Sequence, residues 1–343
     1  MSTGNRALIE VLRAKIADDG PQPFAWFMEQ ALYNPEHGYY SSGRVAIGRS
    51  GDYFTNVSVG PLFGRLLAQQ FAEVWRGQGK IENFAVIEQG SHHGEFARDV
   101  LEFSRRQLPE FFSAMRYEIV EPFAKLQERQ SATLRDFADR VQWRTSLDEL
   151  EPFVGIHFSN ELLDAMPINL RGKLVGLDGE RFVFVDSPEE QVRDQSQLDW
   201  IASLATKLKS GLVFAIDYGF SANEFREMIQ VRAKHRVLDS PFEHIGEADI
   251  TAHVNWTDIA AAAEKNGLRL AGFTDQHHFL TGIISGFPEM PDDEKSKREL
   301  QTLLHPEMLG RSFQVLCLAK DVDPGMSLFG LKFARDARAA LAL

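Results

Sequence analysis

The residues whose types and placing suggest chemistry are carboxylates at the ends of apolar runs. In Phe84-Ala85-Val86-Ile87-Glu88-Gln89-Gly90-Ser91-His92-His93-Gly94-Glu95-Phe96, a run of strand type ends in Glu88, passes Gly90 and Gly94, and enters a helix-like segment. Glycine lets a backbone turn sharply and approach a ligand closely where an open α/β sheet makes its crevice. A dinucleotide site wants G-x-G-x-x-G and an open approach to the pyrophosphate. Here Ser91, His92 and His93 fill the turn, and Glu88 would repel a pyrophosphate. The stretch favours a nucleoside carrying positive charge, with an ordinary strand-to-helix turn as the alternative. Glu121 ends the next run, where an acidic residue of an open sheet accepts ribose hydroxyls. A solvated carboxylate or a helix N-terminal charge ahead of Pro122 is the other reading. Thr145-Ser146-Leu147-Asp148 follows the third run, where an adenine would lie, although polar turn chemistry accounts for these residues equally well.

Asn160-Glu161-Leu162-Leu163-Asp164-Ala165-Met166-Pro167 follows the fourth run. Two carboxylates three residues apart face one way in a helical turn and suit a guanidinium, which binds carboxylates through a bidentate fork. Helix capping by Asn160, with Glu161 and Asp164 in the first turn, explains the same residues. Asp217-Tyr218-Gly219 ends the fifth run and is a similar edge element. Adjacent histidines, in His92-His93 and His277-His278, are poorly placed for one ion, and a lone cysteine offers no thiolate site, so no metal centre is expected. No Gly-x-Ser-x-Gly elbow supports a hydrolase.

The elements that would position these groups alternate. Helical spacing covers Arg6–Ile16, Phe24–Leu32 and Pro61–Trp75, with a Gly- and Tyr-rich stretch, Tyr33–Thr55, expected to be a binding loop or lid. Strand Phe84–Glu88, helix Glu95–Gln107, strand Arg116–Glu121, helix Pro122–Arg140, strand Val141–Arg144 and strand Val154–Phe158 then follow. Such alternation implies βαβ units and a mostly parallel sheet. Lys173–Asp186 breaks the rhythm with an Asp-Gly hairpin signal. Helix Leu198–Lys209 leads to strand Leu212–Asp217; Ser221–Gly246 reads as irregular and Trp256–Asn266 as a helix. Late strands Leu268–Thr274 and Ser312–Ala319 are expected to pair antiparallel at the sheet edge.

The chain has 343 residues, 44% of them hydrophobic, and a formal net charge of −12, enough for a full core and against polyanionic nucleic acid as a partner. One cysteine, no apolar run of membrane-spanning length and an acidic N-terminus without a signal core lead us to expect a soluble, cytoplasmic protein without membrane insertion.

Several stretches, taken in order, resemble one family. They are Phe27–Tyr40 (FMEQALYNPEHGYY), Ile47-Gly48, Gly51-Asp52-Tyr53-Phe54-Thr55, Leu62-Phe63-Gly64, the Glu88–Gly94 turn, Val120-Glu121 and Asn160–Ala165 (NELLDA). Asp217-Tyr218-Gly219, Ala248–Val254 (ADITAHV) and Gln276-His277-His278-Phe279-Leu280 complete the set. From about residue 24 to 320 the chain resembles the MidA-like family of S-adenosylmethionine-dependent methyltransferases, which includes a mitochondrial assembly factor that methylates an arginine of a complex I subunit. The resemblance implies a class I (Rossmann-like) seven-stranded, mostly parallel sheet with an N-terminal helical and loop extension and an inserted β-hairpin. Residues 1–80 would form a segment folding over the cofactor, and 81–343 the methyltransferase domain with additions at 170–190, 221–255 and 277–311. Carried over by motif, Glu88, Gly90, Ser91 and Gly94 would line the methionine end of S-adenosyl-L-methionine and Glu121 would hold its ribose. Gly51, Asp52 and Thr55 would cover the pocket. Asn160, Glu161 and Asp164 would face the methyl group, with Glu161 and Asp164 catalytic and a protein arginine as acceptor. The family's best-known members carry a Gly-x-Gly-x-Gly-like turn, from which Ser91-His92-His93 departs. That departure keeps a second function in view, a low-turnover cofactor- or partner-binding assembly factor; a nicotinamide oxidoreductase lacks its fingerprint.

Overall fold

The computed structural model describes residues 3–42, 55–224, 229–233, 236–287 and 293–343. These form two compact units: the described parts of Met1–Phe54, Leu163–Asp199 and Arg226–His253, and those of Thr55–Leu162, Trp200–Phe225 and Val254–Leu343. The larger unit is an α/β sandwich. Its sheet comprises β1 (Phe84–Gln89), β2 (Met115–Val120), β3 (Val141–Arg144), β4 (Phe153–Asn160), β5 (Leu208–Phe220), β6 (Arg269–Asp275) and β7 (Phe313–Lys320) in the order β3-β2-β1-β4-β5-β7-β6, and Val254–Asn255 adds a short parallel pairing to β5. β1 to β5 run parallel; β7 pairs antiparallel with both β5 and β6, closing the edge as the two late apolar runs predict. β1 is apolar without alternation, and Phe84–Glu88 are all buried, because helices cover both faces of a parallel sheet. From β1 the order runs to β2 on one side and to β4 on the other, so the crevice of this sheet lies at the carboxyl ends of β1 and β4.

Helices α1 (Leu62–Gly77) and α2 (Glu95–Gln107) pack on this sheet through an aromatic cluster. Phe96 of α2 stacks on Phe158 of β4 at 4.3 Å between centroids, with Phe63 and Phe71 of α1 against the pair. The stack ties the helix that follows the glycine turn to the strand that carries Asn160. Further helices of the unit are α3 (Ala124–Thr133), α5 (Trp256–Lys265), α6 (Gln276–Gly286) and α7 (Glu294–Leu304); α4 (Gln195–Lys207) begins in the smaller unit.

The smaller unit contains helices Arg6–Asp19 and Phe24–Tyr33 and two antiparallel three-stranded sheets. Helix Arg6–Asp19 starts at Asn5, whose side chain accepts from Leu8 N at 3.2 Å, and buries Leu8, Ile9, Leu12 and Ile16 at helical spacing. One sheet is the predicted hairpin, Lys173–Asp178 with Arg181–Asp186, joined on its first strand by Gln22–Pro23. Its two-residue loop is Gly179-Glu180, one position later than the Asp-Gly signal suggests, with Gly179 at φ +60°. The other sheet joins Arg236–Leu238, Ile229–Ala233 and Asp249–Ala252. Phe24, Phe27, Phe182 and Phe242 are at the centre of this core.

Four expectations need correction. The boundary expected near residue 80 is not where the units divide: Thr55–Gly77 belongs with the large sheet, because α1 buries its apolar face there. Residues 221–246, read as irregular, supply two strands. The helix expected to reach Arg140 ends at Thr133 and is followed by a 3-10 turn, Arg135–Phe137. No helical turn forms over Glu161–Met166. Of the stretch read as a lid, Asn34–Ser42 forms turns and 43–54 lies outside the described residues. Among the described residues no helix is long and apolar enough to cross a membrane.

The parallel strands meet at two glycines that no motif marks. A Cβ on Gly155 (φ +150°) of β4 would lie 2.0 Å from the Ala85 carbonyl oxygen of β1, and one on Gly211 (φ +143°) of β5 would lie 1.8 Å from the Gly155 oxygen. Both contacts are with backbone, which cannot step aside. Gly155→Ala is therefore expected to cost more than about 3 kcal/mol or to prevent folding, measured by urea unfolding; a loss below about 1 kcal/mol would show that this register is not fixed by the contact.

Candidate active site

The turn from β1 into α2 carries three successive left-handed conformations: Gly90 (φ +83°), His92 (φ +48°) and Gly94 (φ +85°). At Gly94 the conformation rather than the space favours glycine, since a Cβ there would meet Leu134 Cδ1 at 3.3 Å and the Gln130 Cα of α3 at 3.4 Å, close but without a clash. Gly90 faces the other side of the crevice: its missing Cβ would sit 3.4 Å from Leu162 Cδ1 and 3.9 Å from the Asn160 oxygen. The turn and the end of β4 are thus neighbours. Glu88 is buried one residue before β1 ends and accepts from the Tyr117 hydroxyl of β2 at 2.5 Å. Burial raises its pKa to about 7; Tyr117 and Ser91 pull it down and Glu95 adds to the rise. Ser91 is itself buried.

His92 and His93 stack at 3.7 Å between ring centroids, and one ligand atom from each, with one from Glu95, fall within 4.8 Å of one another. This corrects the expectation that adjacent histidines diverge: the left-handed backbone at His92 folds one ring onto the next. The positive charge already beside them is Arg129, whose Nη1 lies 3.0 Å from His93 Nε2. Burial, His93 and Arg129 together lower the His92 pKa to about 3, so its ring is neutral at physiological pH.

Glu121 follows β2. It is buried, which removes the reading as a solvated carboxylate, and its two oxygens accept from Phe123 N and Gln130 Nε2, each at 3.0 Å. Burial outweighs both bonds and raises its pKa to about 7. Gln130, fully buried on α3, also donates to the His92 carbonyl (3.0 Å) and accepts from Trp143 Nε1 (2.9 Å), so one amide joins Glu121 to the glycine turn. Motif reading missed Gln130 and Tyr117. Gln130 lies four residues after Leu126, on the buried face of α3, and a polar group there was the available signal. After β3, Ser146 precedes a short 3-10 turn, Leu147–Glu149, with Leu147 buried.

At the end of β4, Asn160 Nδ2 donates to Glu161 Oε1 at 2.8 Å, and the same oxygen accepts from Asn56 N at 3.3 Å. Asn56 Nδ2 donates to Asn160 Oδ1 at 2.9 Å. Glu161 N bonds the Ile216 carbonyl at 3.0 Å while its φ is +54°, so the chain leaves the strand in a left-handed step rather than in the helical turn expected from the spacing. Thr55 caps the short helix Asn56–Val59 in a capping box with Ser58 and thereby holds Asn56. Asp217, at the carboxyl end of β5, is buried and accepts from Tyr218 N at 2.8 Å.

The structure therefore gathers Glu88, Gly90, Ser91, Gly94, Glu121, Asn160 and Glu161 along the carboxyl edge of β1, β2 and β4. Asp164 falls in the smaller unit, where its carbonyl accepts from Ala252 N at 2.8 Å. Gly51 and Asp52 lie outside the described residues.

Residues 66–196 and 192–274 match the family model described as "Putative S-adenosyl-L-methionine-dependent methyltransferase". The curated "Protein arginine methyltransferase NDUFAF7 homolog, mitochondrial" of Drosophila melanogaster is 24% identical over 92% of this chain and 85% of its own. The Homo sapiens protein, "Protein arginine methyltransferase NDUFAF7, mitochondrial", is 25% identical over 96% of this chain and 86% of its own. A crystal structure from Burkholderia thailandensis, bound to S-adenosyl-homocysteine, is 29% identical, covers 96% of both chains and superposes with a TM-score of 0.86. The cytoplasmic location expected from composition is overturned by the mitochondrial names of the curated relatives. A lone cysteine and an acidic charge suit any reducing aqueous compartment and could not discriminate. The present residues fit the nucleoside: Gly90 leaves open the space a Cβ would fill, and each Glu121 oxygen keeps acceptor capacity beyond its protein donor. A class I sheet with an acidic glycine turn at its crevice and a family match over more than half its length place this chain in the family of S-adenosyl-L-methionine-dependent methyltransferases.

Proposed function

We propose that the protein transfers the methyl group of S-adenosyl-L-methionine to a guanidinium nitrogen of an arginine in a protein substrate. The observation that carries this reading is Glu161, a carboxylate that accepts from Asn56 N and Asn160 Nδ2 beside the glycine turn. The curated relatives, named protein arginine methyltransferases, supply the acceptor class. Glu88, Gly90, Ser91 and Gly94 take the methionine end of the cofactor, Glu121 its ribose hydroxyls, and Ser146 and Leu147 the adenine. Asn160 and Glu161 face the acceptor; Asp164, in the other unit, keeps its role only through the resemblance.

The bound cofactor supplies a sulfonium methyl: the nitrogen–carbon bond forms as the carbon–sulfur bond breaks, sulfur keeps the electron pair, and the acceptor nitrogen gives up a proton. The protein's work is alignment and charge. Glu161 holds the guanidinium by its negative charge, oriented by Asn56 N–H and Asn160 Nδ2, and takes the proton as transfer proceeds. A second reading, cofactor binding with little turnover, draws on His92, whose ring occupies a turn where the family has small residues.

Incubating the protein with labelled S-adenosyl-L-methionine and an arginine-containing peptide library, followed by mass spectrometry, is expected to yield methylarginine. Label on lysine, or on no peptide, would sink the arginine reading. Glu161→Gln is expected to lower transfer by about 100-fold or more while S-adenosylhomocysteine affinity changes by less than about twofold; undiminished transfer would remove Glu161 from the mechanism. Glu121→Ala, losing charge-assisted bonds to the ribose, is expected to weaken S-adenosylhomocysteine roughly 10- to 100-fold in calorimetry, and equal affinities would refute the ribose assignment.

The raised carboxylates make a pH prediction. Glu88 has an ordinary value of 4.5 and a folded value of about 7, so the folded state holds an extra proton between these limits. Its contribution to stability therefore falls as pH rises from 4.5 to 7, and the cost is complete above 7. Glu88→Gln keeps an acceptor for Tyr117 and carries no charge. It is expected to stabilise the free protein by roughly 2–3 kcal/mol at pH 8.5 and by little at pH 4.5, read by urea unfolding at both values. Equal gains at the two pH values would mean that the burial cost is not one of ionisation.

A further inference from the structure

Gln276 belongs to the Gln276–Leu280 motif, which supports the family resemblance but has no assigned task. It is the first residue of α6, fully buried, and its Nε2 donates to the Leu303 carbonyl of α7 (3.2 Å) and to Asn56 Oδ1 (2.8 Å). Its Oε1 is buried with no hydrogen-bond partner among the described residues. Packing alone does not account for the amide: its Nε2 satisfies two buried acceptors, the Leu303 carbonyl and Asn56 Oδ1, while its own Oε1 is left unpaired.

The pattern of donors gives the amide a purpose. A main-chain carbonyl only accepts, so Leu303 obliges Gln276 to turn its nitrogen, not its oxygen, towards it and towards Asn56. Asn56 must then offer Oδ1 to Gln276 and Nδ2 to Asn160. Asn160 in turn must offer Oδ1 to Asn56 and Nδ2 to Glu161. The sense of every amide in the row follows from the one before it, and the last hydrogen aims at the carboxylate.

We propose that Gln276 and Asn56 are positioning residues for methyl transfer: their directed hydrogen bonds hold Asn160 and Glu161 with donors facing the Glu161 carboxylate. The proposal rests on the reading of Glu161 given above. Neither residue has to touch cofactor or acceptor, so both act on the rate of transfer rather than on cofactor affinity.

Two variants test it. Gln276→Met removes the donor that sets the row while preserving its bulk. Asn56→Asp keeps an acceptor for Gln276 but places oxygen against Asn160 Oδ1, driving the Asn160 amide to reverse. Both are expected to fold with melting temperatures lowered by several degrees, since each leaves buried polar groups unpaired, and to bind S-adenosylhomocysteine within about twofold of wild type. kcat on the peptides methylated by wild type is expected to fall at least about tenfold for Gln276→Met and further for Asn56→Asp. Unchanged kcat in both, or S-adenosylhomocysteine affinity falling in step with kcat, would overturn the proposal. Crystal structures of wild type and the two variants with S-adenosylhomocysteine separate this test from that of the arginine reading. If wild type methylates no arginine, that reading fails, and the positioning proposal still stands or falls on whether the Asn160 amide and Glu161 carboxylate are displaced in the variants. Unmoved side chains would refute it.

Discussion

A carboxylate at the end of a buried parallel strand loses its water before it gains a ligand, and that loss governs this site. Glu88, Glu121 and Glu161 all stand at strand ends along one sheet edge, and each has been given protein donors in place of water. For Glu88 and Glu121 the replacement is incomplete, and both titrate near 7 rather than in the ordinary range. On the proposed reading, such groups suit a ligand that brings a cation or hydroxyls. Buried Cys317 shows the same physics in a thiol: burial pushes it to about 12.

The glycine turn follows the same economy in backbone terms. A left-handed conformation costs a non-glycine residue of order 1–2 kcal/mol, and His92 adopts it where a glycine would do so freely. Stacking on His93 and the Gln130 bond to its carbonyl partly offset that cost. Because the His92 ring is neutral, it adds no positive charge beside a site that must receive a cationic sulfonium. The departure from a glycine-rich turn therefore changes shape without reversing the electrostatics.

How legible this was depends on range. Apolar runs of strand length alternating with helical spacing exposed β1 to β5, and two late runs foretold the antiparallel edge, because these patterns are local. The division into units was hidden: helices near the N-terminus share a core with Val175, Phe182, Val231 and Phe242, more than a hundred residues away, and no local pattern encodes that pairing. Carboxylates at strand ends stood out because charge interrupts an apolar run. Their partners did not, since Tyr117, Gln130 and Asn56 are ordinary neutral residues whose importance appears only when a donor meets an acceptor. The spacing of Glu161 and Asp164 misled for a related reason: a three-residue interval implies a shared face only if the backbone is helical, and Glu161 at φ +54° is not.

That left-handed step explains why Glu161 needs such elaborate support. A side chain inside a strand or helix inherits its direction from neighbours on either side, whereas Glu161 has a strand before it and no regular element after it. Its backbone N–H is pinned to the Ile216 carbonyl, which fixes the Cα and does not by itself direct the carboxylate. Among the described donors to the carboxylate, Asn160 Nδ2 comes from the last residue of the strand, and Asn56 N–H comes from a helix whose own start is locked by the Thr55–Ser58 capping box. A four-residue helix far away in sequence thus contributes to the precision of the carboxylate, directly through Asn56 N–H and indirectly through the Asn56–Asn160 bond. Rearrangement of that helix would disturb the acceptor side of the site before it disturbed the glycine turn.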